Sequence, residues 1–187
     1  MAPANVDRYG IFHFRSIGAI RKHLTDSSTT KLVHSLITTQ LDYCNSLLYG
    51  LSDSKIQRLQ KIQNIAARIL TRSPKTCHIT PVLKDLHWLP IKSRILFKLL
   101  LFMFKAYHQT TPTYITNLIT PYNPIRSLRS SEQLLLEVPR TRLNSFGSRA
   151  FSVAGPREWN KLPIALRKVK TLNSFKTSLK TFLFKQF

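Results

Sequence analysis

Apolar residues recur at three- and four-residue spacing through most of this chain, a rhythm that predicts helices rather than strands. From Arg8 to Leu24 the apolar positions are Ile11, Phe12, Phe14, Ile17, Ile20 and Leu24. Thr25-Asp26-Ser27-Ser28 stops that helix and can cap a second one running through Leu41. Gly50 ends the segment that follows. Ser54-Lys55-Ile56-Gln57 has the S-x-x-Q form of a capping box. Behind it Ile56, Leu59, Ile62, Ala66, Ile69 and Leu70 form one apolar face, which Ser73-Pro74 ends. Pro81 and Pro90 sit where helices can begin. Ile91 to Tyr107 is apolar nearly all round, the pattern of a central buried helix.

The second part of the chain is more broken. Thr111-Pro112 opens a short helix through Ile119, while Pro121, Pro124 and the Arg126 to Ser131 stretch read as an extended linker. A soft boundary falls there, between a helical region over 1–120 and a basic C-terminal region over 121–187. From Gln133 to Asn144, the run Leu134-Leu135-Leu136 followed by Val138, Pro139, Arg140 and Arg142 suits an extended hairpin better than a helix. Pro139 would then sit in a turn or on an edge. After Gly155-Pro156, Trp159 to Pro163 reads as a short helical turn. Thr171 to Phe184 places Phe175, Leu179, Phe182 and Leu183 on one side of a helix, with Lys176 and Lys180 on another. The expected fold is mainly α, a helical bundle with room for a small β-hairpin near residues 133–144.

Charge adds a partner to this picture. The 187 residues hold 29 Lys and Arg against 8 Asp and Glu, a net charge of +21. Such an excess calls for a polyanionic or acidic counterpart. With 43% hydrophobic residues and only 5 Gly, the chain can still build a core, which excludes a disordered basic tail. The charge is shared along the chain, with 16 basic and 5 acidic residues in 1–120 and 13 and 3 in 121–187. On a helical projection at about 100° per residue, Arg58, Lys61, Arg68 and Arg72 fall within about 80° of one another, beside the apolar face. A solvated charged face is the ordinary explanation for such a stripe. No acid lies between Ser54 and Lys84 to pair with it, which favours a phosphate-binding role. Arg140, Arg142, Lys176 and Lys180 form a second candidate group.

Catalytic chemistry is sparse. The acids Asp7, Asp26, Asp42, Asp53, Asp85, Glu132, Glu137 and Glu158 include no adjacent pair resembling a two-metal centre. Walker, G-x-G-x-x-G and G-x-S-x-G motifs are absent from the sequence. Cys77-His78 with His87 and Cys44 match no zinc-ligand spacing. The expectation is no catalytic residue, no metal and no cofactor. Trp159 and His87-Trp88-Leu89-Pro90 read as packing groups rather than base-stacking platforms. Two cysteines without a pairing pattern, and no signal-peptide-like start, predict a reduced intracellular protein of the nucleus or cytoplasm. Lys92, Arg94, Lys98 and Lys105 interrupt the most apolar stretch, so no membrane span is expected, since one needs about 20 apolar residues.

Four phrases taken in order carry a resemblance. They are Leu41-Asp42-Tyr43-Cys44-Asn45-Ser46-Leu47-Leu48-Tyr49-Gly50-Leu51, then Leu59-Gln60-Lys61-Ile62-Gln63-Asn64-Ile65-Ala66-Ala67-Arg68, and then Leu86-His87-Trp88-Leu89-Pro90-Ile91. The last is Arg149-Ala150-Phe151-Ser152 followed by Trp159-Asn160-Lys161-Leu162-Pro163. Together they resemble the C-terminal part of the reverse transcriptase of non-LTR retrotransposons (LINE elements), over about Phe12 to Phe184. The resemblance implies thumb and post-thumb regions lying after the palm. The aromatic-Ala-Asp-Asp motif of that family has no counterpart here, so its catalytic residues have no positions to carry over. What the resemblance does imply is the thumb's role of holding the template–primer duplex, on the helix that bears Arg58, Lys61, Arg68 and Arg72.

The residues and the resemblance agree on a non-catalytic module that binds RNA, an RNA–DNA hybrid or DNA through its backbone. A competing reading is an interaction module whose apolar helix, Ile91 to Tyr107, docks on a polymerase core supplied in trans. A degenerate element fragment without independent function is its variant. A basic amphipathic helix over Thr171 to Phe187 binding acidic membranes ranks last.

Overall fold

A computed structural model describes residues 3–124, 133–143 and 146–187, with side chains from residue 12 onward. Among the described residues the protein is a mainly α helical bundle without strand or sheet. It divides into two compact units, Met1–Arg94 and Ile95–Phe187. The division falls inside a helix, and the boundary expected at residue 120 lies within the second unit. No described helix is long and apolar enough to cross a membrane.

The first unit holds α1 (Pro3–Ile20), α2 (Asp26–Val33), α3 (Thr39–Asp42), α4 (Asp53–Thr71), α5 (Ile79–Asp85) and the opening turn of α6 (Ile91–Tyr107). Thr25 caps α2, its hydroxyl accepting the Ser28 N–H at 3.2 Å. A π-helical turn, His34–Thr38, joins α2 to α3, so the second expected helix reaches Asp42 through one widened turn. The capping box expected at Ser54 does not form. The Ser52 carbonyl instead accepts the Lys55 and Ile56 N–H groups at 3.0 and 3.2 Å, starting α4 ahead of Ser54. Ser52 makes no side-chain cap bond. Similarly, His78 rather than Pro81 begins α5, with Nδ1 accepting the Thr80 N–H at 3.4 Å. Pro81 then lies in the first turn, where a missing N–H costs nothing.

α1 packs along α4, with Phe14 and Ile17 buried from one side and Leu59, Ile62, Ala66 and Ala67 from the other. Gln63, wholly buried within α4, donates from Nε2 to the Leu89 carbonyl at 2.8 Å. Gln60 accepts the Ile91 N–H on Oε1 at 2.9 Å and donates from Nε2 to Gln63 Oε1 at 2.9 Å. One of the orphan N–H groups that every helix start leaves is thereby satisfied by a neighbouring helix. Arg94 is held by Asp42 at 3.3 Å, and burial pulls its guanidinium below the usual arginine range against that carboxylate's opposing effect.

The second unit contains the remainder of α6 with α7 (Thr113–Thr116), α8 (Phe151–Asn160), α9 (Ile164–Arg167) and α10 (Leu172–Lys185). Phe104 stacks on Phe175 at 4.3 Å between ring centroids, and Tyr107 stacks on Trp159 at 5.6 Å. Trp159 is fully buried, and its indole N–H donates to the Leu134 carbonyl at 3.0 Å. α8 runs straight through Gly155-Pro156, where a break before a separate turn at Trp159 was expected. Gly155 lies against α6: a Cβ there would overlap Met103 Sδ, so a larger residue fits only if the Met103 side chain moves.

The hairpin expected near 133–144 is not formed among the described residues. Its first arm turns to different partners. Leu136 bridges Pro121 in antiparallel sense, with Tyr122 N–H donating to Leu135 O at 3.0 Å and Glu137 N–H to Thr120 O at 2.9 Å. The Asn160 amide takes both backbone groups of Leu136, accepting its N–H at 2.9 Å and donating to its carbonyl at 2.8 Å. These bonds satisfy the extended segment without a second strand. The Arg126 to Ser131 linker and Asn144 lie outside the described residues.

Candidate nucleic-acid interface

The C-terminal end of α4 leaves carbonyl groups without helical partners, and cations are favoured there. Arg21, just past α1 and 8% exposed, supplies one. Its Nε donates to the Ile69 carbonyl at 3.1 Å, its Nη2 to the Leu70 carbonyl at 3.3 Å, and its Nη1 to the Leu24 carbonyl at 3.1 Å. The same Nη2 meets Asp26 Oδ1 at 2.5 Å. The hydrogen bond and charge of Arg21 hold the Asp26 carboxyl below the usual carboxylate range.

Arg68, one turn before the end of α4, wraps the following loop. Its Nε donates to Pro74 O at 3.4 Å, and its Nη2 donates to Lys75 O at 3.4 Å and Cys77 O at 2.9 Å. Arg68 therefore positions Lys75 as well as carrying charge. Arg72 stands at the C-cap with φ 54°, in the left-handed region, 3.8 Å from Asp26. The result is a groove of about 580 Å³ lined by Gly18, Ile65 and Ile69 together with Arg21, Arg68, Arg72 and Lys75. Ile65 is 42% exposed there.

The stripe read from the sequence is thus divided. Arg68 and Arg72 come together in the groove, while Arg58 and Lys61 lie exposed farther up α4 and do not line it. Ten residues separate Arg58 from Arg68, about 15 Å along the axis. Arg72 lies beyond the last helical residue, Thr71, so its place is set by the cap rather than by the helical repeat. Arg21, Lys75 and Gly18 give no signal in the sequence, because no periodicity ties them to α4.

The second group belongs to the second unit. Arg140 and Arg142 are exposed on the irregular segment after Leu136. On α10, Lys176 is half-buried and Lys180 is exposed, one turn apart, and Lys180 Nζ lies 5.7 Å from the centre of the Phe184 ring. Cys44 and Cys77 are exposed free thiols, and no group of three metal-ligating side chains gathers among the described residues.

No family model matches the chain, and neither the curated proteins nor the solved structures contain a significant match.

Proposed function

We propose that the chain is the thumb and post-thumb part of a non-LTR retrotransposon reverse transcriptase. In this reading it binds RNA, an RNA–DNA hybrid or DNA in the nucleus or cytoplasm, while catalysis belongs to a polymerase core. The observation that carries the reading is the meeting of Arg68, Arg72 and Lys75 at the end of α4, on a chain of net charge +21. The ordered phrases from Leu41 to Pro163 add the family. Lysine and arginine displace condensed counterions from the phosphate backbone, which yields affinity with little reading of bases. Arg58 and Lys61 extend the footprint along α4, and Arg140, Arg142, Lys176 and Lys180 add a second set.

Docking of α6 on a polymerase core loses its motive, because Ile95, Leu99, Leu100, Met103 and Phe104 are buried within the chain itself. The test is a salt titration of binding to an RNA–DNA hybrid. Lys61→Gln combined with Lys75→Gln should flatten the logarithmic salt slope by about 0.7 to 0.9 for each phosphate no longer neutralised. An unchanged slope would remove α4 and the loop that follows it from the binding surface.

A further inference from the structure

The α1–α4 groove is more than a positive patch, since its lining is partly apolar and open. A Cβ built on Gly18 meets nothing within 4 Å, so the wall of α1 is recessed where Ile65 and Ile69 face it. The volume of about 580 Å³ suits one small ligand rather than a helix or a folded partner, since single-ligand pockets span about 300 to 1,000 Å³. The rim suits an anion. Arg72 and Lys75 carry charge, and the guanidinium planes of Arg68 and Arg72 can also stack on a flat ring. The acid beside them, Asp26, is already engaged by Arg21 and Arg72.

We infer that this groove receives one unpaired nucleotide of the bound strand, with its base against Ile65 and Ile69 and its phosphate on Arg72 and Lys75. The inference rests on the nucleic-acid reading above and deepens it, because backbone binding alone needs no apolar lining. Gly18 is the position to test, since it is exposed, lines the groove, and offers open space to a larger side chain.

The experiment compares wild type, Gly18→Ala and Gly18→Leu by fluorescence anisotropy, using a labelled oligouridylate and its abasic counterpart across a salt series. Gly18→Leu fills the space without offering an aromatic face and should weaken oligouridylate binding about tenfold, as expected when one base loses its apolar contact with Ile65 and Ile69. It should leave abasic binding and the salt slope unchanged, and Gly18→Ala should behave as wild type. Equal binding of oligouridylate by wild type and Gly18→Leu would overturn the groove assignment and leave backbone binding standing. Absence of salt-dependent binding by wild type would overturn both. If Gly18→Leu instead abolished binding of an acidic aromatic peptide and spared the oligomer, the assignment would be overturned in favour of a protein ligand. A readout independent of the variants is photo-crosslinking of wild type to a 4-thiouridine oligomer. Adducts on the Ile65–Lys75 peptide support the groove, and adducts confined to other peptides sink it.

Discussion

Arg72 occupies a backbone conformation that costs an ordinary residue about 1 kcal/mol and that helix ends usually assign to glycine. Its ion pair with Asp26 is exposed on both sides and offers little in return. Arg72→Gly should therefore raise stability by about 0.5 to 1 kcal/mol in urea denaturation. The same variant should weaken nucleic-acid binding, a separation that a purely structural arginine would not produce. Arg21 behaves oppositely. Arg21→Met leaves the carbonyls of Ile69 and Leu70 without their donor and should cost about 3 kcal/mol. Asp26 links this clamp to pH. Its carboxyl is held below its unfolded value, so the unfolded chain binds more protons as the solution is acidified. The stabilisation is complete above the ordinary carboxylate pKa of about 4 and is lost as pH falls through the lower folded value. Asp26→Asn should remove that part of the acid dependence in thermal melts between neutral pH and about pH 3. None of this was visible in the sequence, where Arg21 is one cation in a polar interruption and its carbonyl partners lie 48 and 49 positions away.

At the level of elements, legibility followed how local the forces are. The apolar face of α4 and a cap for α2 within Thr25-Asp26-Ser27-Ser28 could be read directly, because a helix repeat and an N-cap both act within one or two turns. The start of α4 was misplaced because Ser52 and Ser54 offer similar local chemistry, and the first N–H groups joined the earlier carbonyl. The continuity of α8 and the missing hairpin were illegible for another reason. Gly155 looks like a breaker until Met103 is set against it, and Leu136 looks like a strand in need of a partner strand until Asn160 supplies its bonds. A double-mutant cycle tests the first of these. Gly155→Ala should destabilise by about 1 to 2 kcal/mol, as overpacking outweighs the gain in helix propensity. In a Met103→Ala background the same change should become neutral or stabilising. The glutamine link joins two of the sequence phrases in space: Gln60 and Gln63 from one hold Leu89 and Ile91 from the other.

For the whole molecule, a net charge of +21 opposes compact folding and, on the proposed nucleic-acid reading, favours binding. Self-repulsion of the folded chain is screened by salt, so its melting temperature should rise between about 50 and 300 mM salt. Affinity for nucleic acid should fall over the same interval. A bound polyanion should replace salt as the stabiliser at low ionic strength, seen as an upward thermal shift on adding oligonucleotide. The shared helix α6 has a consequence for synthesis on the ribosome. The first unit is completed only when Leu89 and Ile91 emerge to meet Gln63 and Gln60, and those residues are followed at once by the apolar body of α6. Phe175, which stacks on Phe104, and Gly155, which admits Met103, are translated much later. At about 5 to 20 residues per second the nascent chain passes several seconds with a finished N-terminal half and a sticky, half-made helix trailing from it. That interval is when a chaperone would have most to offer this polypeptide.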